Sequence, residues 1–276
     1  MHDAHHHRFS ASKTTNRVVG YLSMIVLGGF ALNWRIQHNV IHHTYTNIPG
    51  HDEDIAPPSP LLRFEPASKL YWFHKAQWLY AWFLYGLMTL SWYLTKDFLQ
   101  LRRYHKKGLL ATEQKKFGVE LFKLILNKIL YTAFILLPFI LNSNLSYGLW
   151  ILFFFCTHFT AGSILALIFQ SAHVVTSTEY PMPESNGTIN NSWAEHQLCT
   201  TANFSPRSKW FSWLIGGLNY QIEHHLFPNI SHVHYSKIAP IVIATAQEFN
   251  LSYHQLGSFA AALRSHQKML WSLGRA

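Results

Sequence analysis

Residues 216–228 read GGLNYQIEHHLFP, and the adjacent histidines His224 and His225 in this stretch need an explanation. Two earlier stretches repeat the pattern. Residues 38–47 read HNVIHHTYTN and residues 2–6 read HDAHH, so each places one histidine four positions before another. Residues four apart share a helix face, and two imidazoles on one face can bind one metal ion. Three histidine boxes in one apolar chain therefore predict a shared metal site.

Long apolar runs surround these boxes. The chain has 276 residues and is 49% hydrophobic, and its apolar residues come in runs rather than in alternation. Residues 148–170 carry no charge and, at about 1.5 Å per residue, are long enough to cross a hydrocarbon core of about 30 Å. Residues 117–141 are similar apart from three charged side chains. With a turn at 142–144, the two runs predict one spanning hairpin whose long ends lie on the same side.

The charge distribution indicates a membrane protein with a basic cytoplasmic face. Lys and Arg number 22 against 13 Asp and Glu, which gives a net charge of +9. Six of these charges form what we call the basic cluster: Arg102, Arg103, Lys106, Lys107, Lys115 and Lys116. Because this cluster directly precedes the hairpin, the positive-inside rule places it in the cytoplasm, and we predict no nucleic-acid partner. The chain contains only Cys156 and Cys199, which fits a reducing compartment.

Two further apolar runs, 18–34 and 71–93, separate elements that should share one site. A single crossing by either run would place the boxes on opposite sides of the membrane. We therefore expect 18–34 to form a helix that lies in the interface or is buried against the cap, and 71–93 to form an interfacial helix because it is rich in Trp and Tyr. No cleavable signal peptide is visible. The predicted fold class is an all-α integral membrane protein with one spanning helical hairpin, interfacial helices and a cytoplasmic His-rich cap.

Several other segments carry weaker signals. The acidic residues 52–54 lack the ladder of a calcium loop and are interpreted as solvated loop charge. Residues 176–192 should form a loop, followed by a helix that carries His196. His173 and His196 are lone histidines, for which a structural role and a role at the metal site both remain open. The segment from Tyr235 onward is predicted to be helical, to pack on the cap and to carry no chemistry.

The number of histidines constrains the chemistry. The boxes supply seven candidate ligands, too many for one tetrahedral zinc and suited to two metal ions. Neither His-xxx-His pair carries the Glu that a zinc protease uses as base, and haem would leave the paired histidines unexplained. A histidine site for two metals at a membrane surface suits redox chemistry with dioxygen on a substrate in the bilayer. The seven are His2, His6, His38, His42, His43, His224 and His225.

HDAHH, HNVIHHTYTN, QSAH at 170–173 and NYQIEHHLFP together resemble the membrane fatty acid desaturases. The third box is similar to that of bacterial acyl desaturases like linoleoyl-CoA desaturase, because it begins with Gln. The resemblance covers nearly the whole chain. It implies two non-haem irons, activation of dioxygen with electrons from a small redox protein, and removal of two hydrogens from an acyl chain carried as acyl-CoA or acyl-lipid.

The resemblance also implies individual roles. The seven box histidines look like iron ligands, and His173 is similar to the ligand that follows the last spanning helix of the family. Gln221 stands where other desaturases have the first histidine of box three, so it is expected, like His196, to neighbour the ligands rather than bind metal. No catalytic residue separate from the ligands is expected. The family also implies the inner membrane of a bacterium, with the site facing the cytoplasm.

Two departures from the family are expected to matter. The family has a membrane hairpin before box one, whereas here box one starts at residue 2, so we expect residues 1–276 to be one desaturase domain truncated at its N-terminus. The His-Pro-Gly-Gly motif of a fused haem domain is not found, so electrons should come from a separate ferredoxin or small haem carrier. A lipid hydroxylase with the same irons, or an inactive remnant that binds lipid or metal, remain alternatives.

Overall fold

The computed structural model of the chain describes residues 1–57, 59–142 and 146–276, and these are mostly helical. The helices of the first half are α1 His2–His5, α2 Lys13–Val26, α3 Ala31–Arg35, a π-helix Ile36–His42, α4 His43–Tyr45, a 3-10 helix Trp72–Ala76, α5 Gln77–Gly86, α6 Met88–Ser91, a second π-helix Trp92–Lys96, α7 Asp97–Lys106 and α8 Leu109–Thr112.

The second half continues with α9 Phe117–Leu141, α10 Tyr147–His173, α11 Trp193–Thr200, β1 Ala202–Phe204, α12 Lys209–Leu214, α13 Gln221–Leu226, a 3-10 helix His232–His234, α14 Tyr235–Glu248, β2 His254–Leu256 and α15 Phe259–Leu273. The two strands pair in parallel, Ala202 opposite His254. The all-α prediction is therefore wrong in this detail, since three-residue strands are too short to show an alternating pattern.

The predicted spanning segments are confirmed as helices. α9 has 25 residues and α10 has 27, and both are long and apolar enough to cross a membrane. They run antiparallel. The ring of Phe139, near the end of α9, contacts the ring of Tyr147 at the start of α10, and the ring centroid of Tyr131 lies 5.5 Å from that of His158 farther along α10. Residues 143 and 144 of the predicted turn at 142–144 lie outside the described residues.

The two other apolar runs are helical but broken. Residues 18–34 divide between α2 and α3, and the segment Ala31–Tyr45 is bent by 111° from α2. Gly28 lies in the break with a φ of +69°, a conformation that favours glycine. Residues 71–93 fall in four helical elements, from the 3-10 helix Trp72–Ala76 to the second π-helix, with an interruption at Leu87. In the described chain, two helices are long and apolar enough to span a membrane. The bent pair formed by α2 and the segment Ala31–Tyr45 would add a third span if it crosses as one unit.

α10 packs closely against α5. A Cβ on Gly162 of α10 would lie 2.7 Å from the carbonyl oxygen of Tyr85 and 2.8 Å from that of Gly86, so the two helices touch backbone to backbone. Tyr85 in turn hydrogen bonds His266 of α15 at 2.6 Å, and His266 donates to the Val174 carbonyl at 2.7 Å. This contact fixes the C-terminal end of α10, where His173 lies, against the last helix.

Candidate metal centre

All three histidine boxes meet at the C-terminal end of α10. Box one lies on α1 and the residue after it, box two on the first π-helix and α4, and box three on α13. The imidazole Nε2 of His2 lies 3.1 Å from that of His38, and the Nε2 of His38 lies 3.4 Å from that of His224. The chain therefore brings together side chains from residue 2 to residue 225.

The histidines form two groups. In what we call the first cluster, one ring nitrogen of each of His2, His6, His38 and His224 lies within 4.8 Å of the others. The second cluster consists of His42, His173 and His225 by the same measure. His43 lies between them, with its ring 4.6 Å from that of His224 and 4.5 Å from that of His225. Boxes two and three thus each contribute one histidine to each cluster, whereas box one contributes two to the first.

The π-helix explains how box two serves both clusters. Its hydrogen bonds run from i to i+5, so the helix is wider than an α-helix, and such turns are frequent at functional sites. The rings of His38 and His42 stack with their centroids 5.3 Å apart, while the ring of His43 stands nearly perpendicular to that of His38. The three imidazoles of residues 38–43 can therefore face two different metal positions.

Two carboxylates of the acidic loop bind the outer nitrogens of box two. Asp52 is buried, and its Oδ2 accepts from His42 Nδ1 at 2.9 Å. Asp54 Oδ2 accepts from His38 Nδ1 at 2.8 Å. The interpretation of residues 52–54 as solvated loop charge is wrong, because the loop folds back onto the helix that precedes it. Each aspartate holds its histidine in the tautomer whose Nε2 is free to bind a metal.

Neutral side chains contact the Nδ1 atoms of the two box-three histidines. Gln197 Oε1 accepts from His225 Nδ1 at 2.8 Å, and His224 Nδ1 lies 3.2 Å from the hydroxyl of Tyr235. Gln197 also accepts from Thr46 of the box-two segment. The prediction that the segment from Tyr235 onward carries no chemistry is wrong in this respect, because the first residue of α14 contacts a cluster histidine.

A metal fits this donor set. Buried ring nitrogens without a hydrogen-bond partner in the described chain include Nε2 of His6 and His225 and both nitrogens of His43 and His173. Buried polar atoms are normally paired, so a convergent set of orphaned imidazole nitrogens needs a ligand, and imidazole suits iron, zinc, copper or nickel. His5 also has an unpartnered Nε2, but its ring packs on Trp34 and lies outside both clusters.

The protonation states agree with metal binding. Burial lowers the pKa of all four first-cluster histidines and of His43 and His225, so these imidazoles are neutral near pH 7. His42 is the exception. Burial opposes its charged form, but the charges of Asp52 and Asp54 outweigh burial and hold its pKa above the usual value. The histidine whose pKa carboxylates raise thus belongs to the second cluster.

Gln221 and His196 lie outside both clusters. The Gln221 amide donates to the Leu218 carbonyl at 2.8 Å, and His196 Nε2 donates to the Thr46 carbonyl at 2.8 Å. His196 belongs to neither histidine cluster. His196 braces the segment that carries Thr46, whose hydroxyl lies 3.3 Å from His225 Nδ1. His196 thus reaches a cluster histidine only through Thr46, and the expected places of His196 and Gln221 next to metal ligands stay predictions.

The start of the chain is held by the loop after box three. Asp3 Oδ2 accepts from His232 Nδ1 at 2.7 Å and from the Ser231 hydroxyl at 2.9 Å. Arg8 donates to Asn229 at 3.2 Å. Hydrogen bonds from histidine outweigh burial and keep the pKa of Asp3 well below its usual value. We call these contacts the N-terminal clasp, and they fix the helix that carries His2 and His6.

A cavity of about 230 Å³ leads to the first cluster. Trp34 and Phe169 line it and both contact the ring of His38, with the Trp34 ring stacked at 4.6 Å. Much of the wall is apolar and comes from α5, α6 and the loop before them. Such a space suits a chain of methylene groups.

The sequence analysis missed the partners of the histidine Nδ1 atoms, which are Asp52, Asp54, Gln197 and Tyr235. The only sequence signal for any of them was the closeness of the acidic loop to box two. Gln197 lies 28 residues from the histidine that it contacts, and no spacing rule connects them.

Comparison with known proteins adds a family. The profile of the family described as fatty acid desaturase matches residues 1–257. The chain is 35% identical to the sn-1 linoleoyl-lipid 6-desaturase of Synechocystis sp. over 279 residues, covering 100% of this chain and 76% of the relative. It is 33% identical to the protein of the same name from Arthrospira platensis, covering 98% and 72%.

A plant relative is similar as well. The acyl-lipid (8-3)-desaturase of Physcomitrium patens is 35% identical over 280 residues, which cover 99% of this chain and 56% of the relative. No solved structure matches the chain.

Proposed function

The chain belongs to the fatty acid desaturase family and is an oxidoreductase, and from this premise we propose that it is a non-haem di-iron, dioxygen-dependent acyl desaturase. The observation that carries the proposal is the pair of buried histidine clusters, the first of which lies beside a largely apolar cavity. Seven clustered histidines with His43 between them provide enough ligands for two irons, and the cavity provides space for an acyl chain.

The proposed substrate is a fatty acyl chain esterified in a membrane lipid, with acyl-CoA as the other carrier. The named activities of the relatives, which act on acyl-lipids, support the first choice. The reaction takes one –CH₂–CH₂– pair of the acyl chain, dioxygen, two electrons and two protons to a –CH=CH– pair and two waters. Irons, when bound, supply the redox centre that reduces dioxygen.

The residues of the chain have three tasks in this reaction. The eight histidines His2, His6, His38, His42, His43, His173, His224 and His225 would hold the irons. Asp52 and Asp54 orient two of these imidazoles and contribute negative charge beside them. Trp34 and Phe169 form the wall at the first cluster, where they orient the acyl chain and exclude water.

We further propose that residues 1–276 act as one domain in the inner membrane of a bacterium, with the clusters facing the cytoplasm. The hairpin and the exposed basic cluster support this orientation. Electrons would arrive from a ferredoxin or a small haem carrier, and no nucleic acid is involved.

Expression in a host of known fatty acid profile tests the function. A new double bond, mapped by mass spectrometry, together with about two irons per purified chain would support it. A product that gains one oxygen instead of losing two hydrogens would assign hydroxylation. Active protein that holds one zinc and no iron would reject the di-iron proposal.

A further inference from the structure

Lys96 lies at the polar end of the acyl cavity. Its Nζ donates to Gln37 Oε1 at 2.7 Å and lies 4.9 Å from the centre of the Trp92 ring. The side chain is partly buried and lines the cavity together with Gln37 and Trp92. Its two direct contacts are therefore a neutral amide and an aromatic face.

No carboxylate neutralises Lys96 directly, since none of the ion pairs in the described part of the chain includes it. The nearby acids are engaged elsewhere. Asp97 pairs with Lys128 at 2.5 Å, and Glu53 pairs with Arg103 at 2.7 Å. Asp97, Asp54 and Glu53 act on the Lys96 ammonium only through longer-range charge. A partly buried ammonium group that no carboxylate bonds directly is costly, so such a group usually has a functional partner.

The cavity has a polar end and an apolar end. Glu53, Asp54 and Lys96 line one end, and each has a hydrogen bond with Gln37, Glu53 through its backbone carbonyl. The opposite wall comes from a hydrophobic cluster that includes Phe64 and Tyr85. A ligand with one polar oxygen and a long hydrocarbon tail matches this distribution.

His38 fixes where the reacting carbons must lie. Its Nδ1 contacts Asp54 at the polar end, and its ring contacts Trp34 and Phe169 of the cavity wall. The first cluster therefore lies beside the cavity, next to the end that Asp54 and Lys96 line. A chain held by its head group at Lys96 would present a defined methylene pair to this cluster.

We propose that the Lys96 ammonium donates a hydrogen bond to the carbonyl oxygen of the acyl head group and thereby sets the double-bond position by distance from that carbonyl. The inference rests on the proposed function and adds a specificity residue to it. The carbonyl can belong to a glycerolipid ester or to a CoA thioester, which share this oxygen. Lys96 is a positioning residue and takes no part in the redox step.

Binding to the purified protein tests the contact without turnover. The two ligands are a stearoyl ester and the matching octadecyl ether, which lacks the carbonyl oxygen, and each competes with a fluorescent acyl probe. We expect the wild type to prefer the ester by about ten-fold, the scale of one charge-assisted hydrogen bond. Lys96→Met should remove this preference while ether binding stays constant. Lys268→Met, which removes an exposed lysine of α15, should keep it.

Product analysis provides the second test. With a supplied electron donor, stearoyl glycerolipid and stearoyl-CoA are assayed separately, and the better substrate identifies the carbonyl source. Lys96→Met should give a mixture of double-bond positions where the wild type gives one, and Lys96→Arg should narrow the mixture again. A structural role would lower iron content and yield without changing the position.

The outcomes separate the two proposals. A wild type that makes no double bond rejects the proposed function, while the ester and ether comparison still decides the role of Lys96. Equal ester preference in the wild type and Lys96→Met, or an unchanged single product position in an active Lys96→Met protein, would overturn the inference.

Discussion

Replacement of Asp52 by asparagine should weaken metal binding at the second cluster. The carboxylate is almost completely buried and accepts three N–H groups, from His42 Nδ1 and from the backbones of Asn47 and Asp54, each at 2.9 Å. Asparagine keeps the size but loses the charge, and its NH₂ group must face at least one of these donors. His42 would then lose both its orientation and the charge that holds its pKa above the usual value.

Outer partners of metal-bound histidines typically affect metal affinity or activity by about 10–100-fold. This range corresponds to about 1.4–2.8 kcal/mol. We therefore expect Asp52→Asn to lose iron at chelator concentrations at which the wild type retains it, and to lower turnover by a similar factor. The measurement is iron per chain across a chelator series, followed by turnover of the same samples.

Glu248→Gln is the matched control, because it removes an exposed carboxylate at the end of α14. It should behave like the wild type. A melting temperature close to that of the wild type would show that Asp52→Asn is folded. If the folded variant retains iron and turnover as well as Glu248→Gln does, the orienting role of Asp52 is refuted.

Three further predictions concern other parts of the chain. Gly162→Ala should cost about 1–3 kcal/mol and lower the melting temperature, because a Cβ there meets the backbone of α5, whereas Gly148→Ala in the same helix points into open space and should not. Burial lowers the pKa of His266 to about 4 from 6.5, so the unfolded chain binds the extra proton between these values. Stability should fall by up to about 3 kcal/mol as pH is lowered through this window, and His266→Gln should flatten the melting temperature against pH. His225→Ala should abolish turnover while His254→Ala stays mild, and equal losses would mean that the site is misplaced.

The spanning helices were predictable because length and lack of charge decide the matter locally. α10 differs from the predicted run by a few residues at each end. The histidine spacing likewise predicted which side chains come together, since the distance between His2 and His6 is set by one helical turn. The bend near Gly28 was missed although Gly28 and Gly29 interrupt the 17-residue apolar run, and local rules give no angle such as the observed 111°.

Long-range contacts were the main failure of the sequence analysis. Asp52 and Gln197 acquire their roles only when a loop or another helix arrives beside a histidine, and their residue types alone suggest solvent exposure. Lys96 belongs to the same class. Its position in the cavity depends on α7 and the preceding π-helix packing against box two, which periodicity does not reveal.

The separation of the cluster histidines along the chain imposes an order on biosynthesis. His38 and His224 are 186 residues apart, so at about 5–20 residues per second the ribosome adds the last ligand about 10–40 s after box two. The N-terminal clasp closes later still, since its partner His232 follows box three. Throughout this interval the histidines of boxes one and two lack the histidines of box three. The first cluster is therefore assembled only after the two long apolar helices have been translated, and a metal that needs the complete cluster can bind only at the last stage of the protein's maturation.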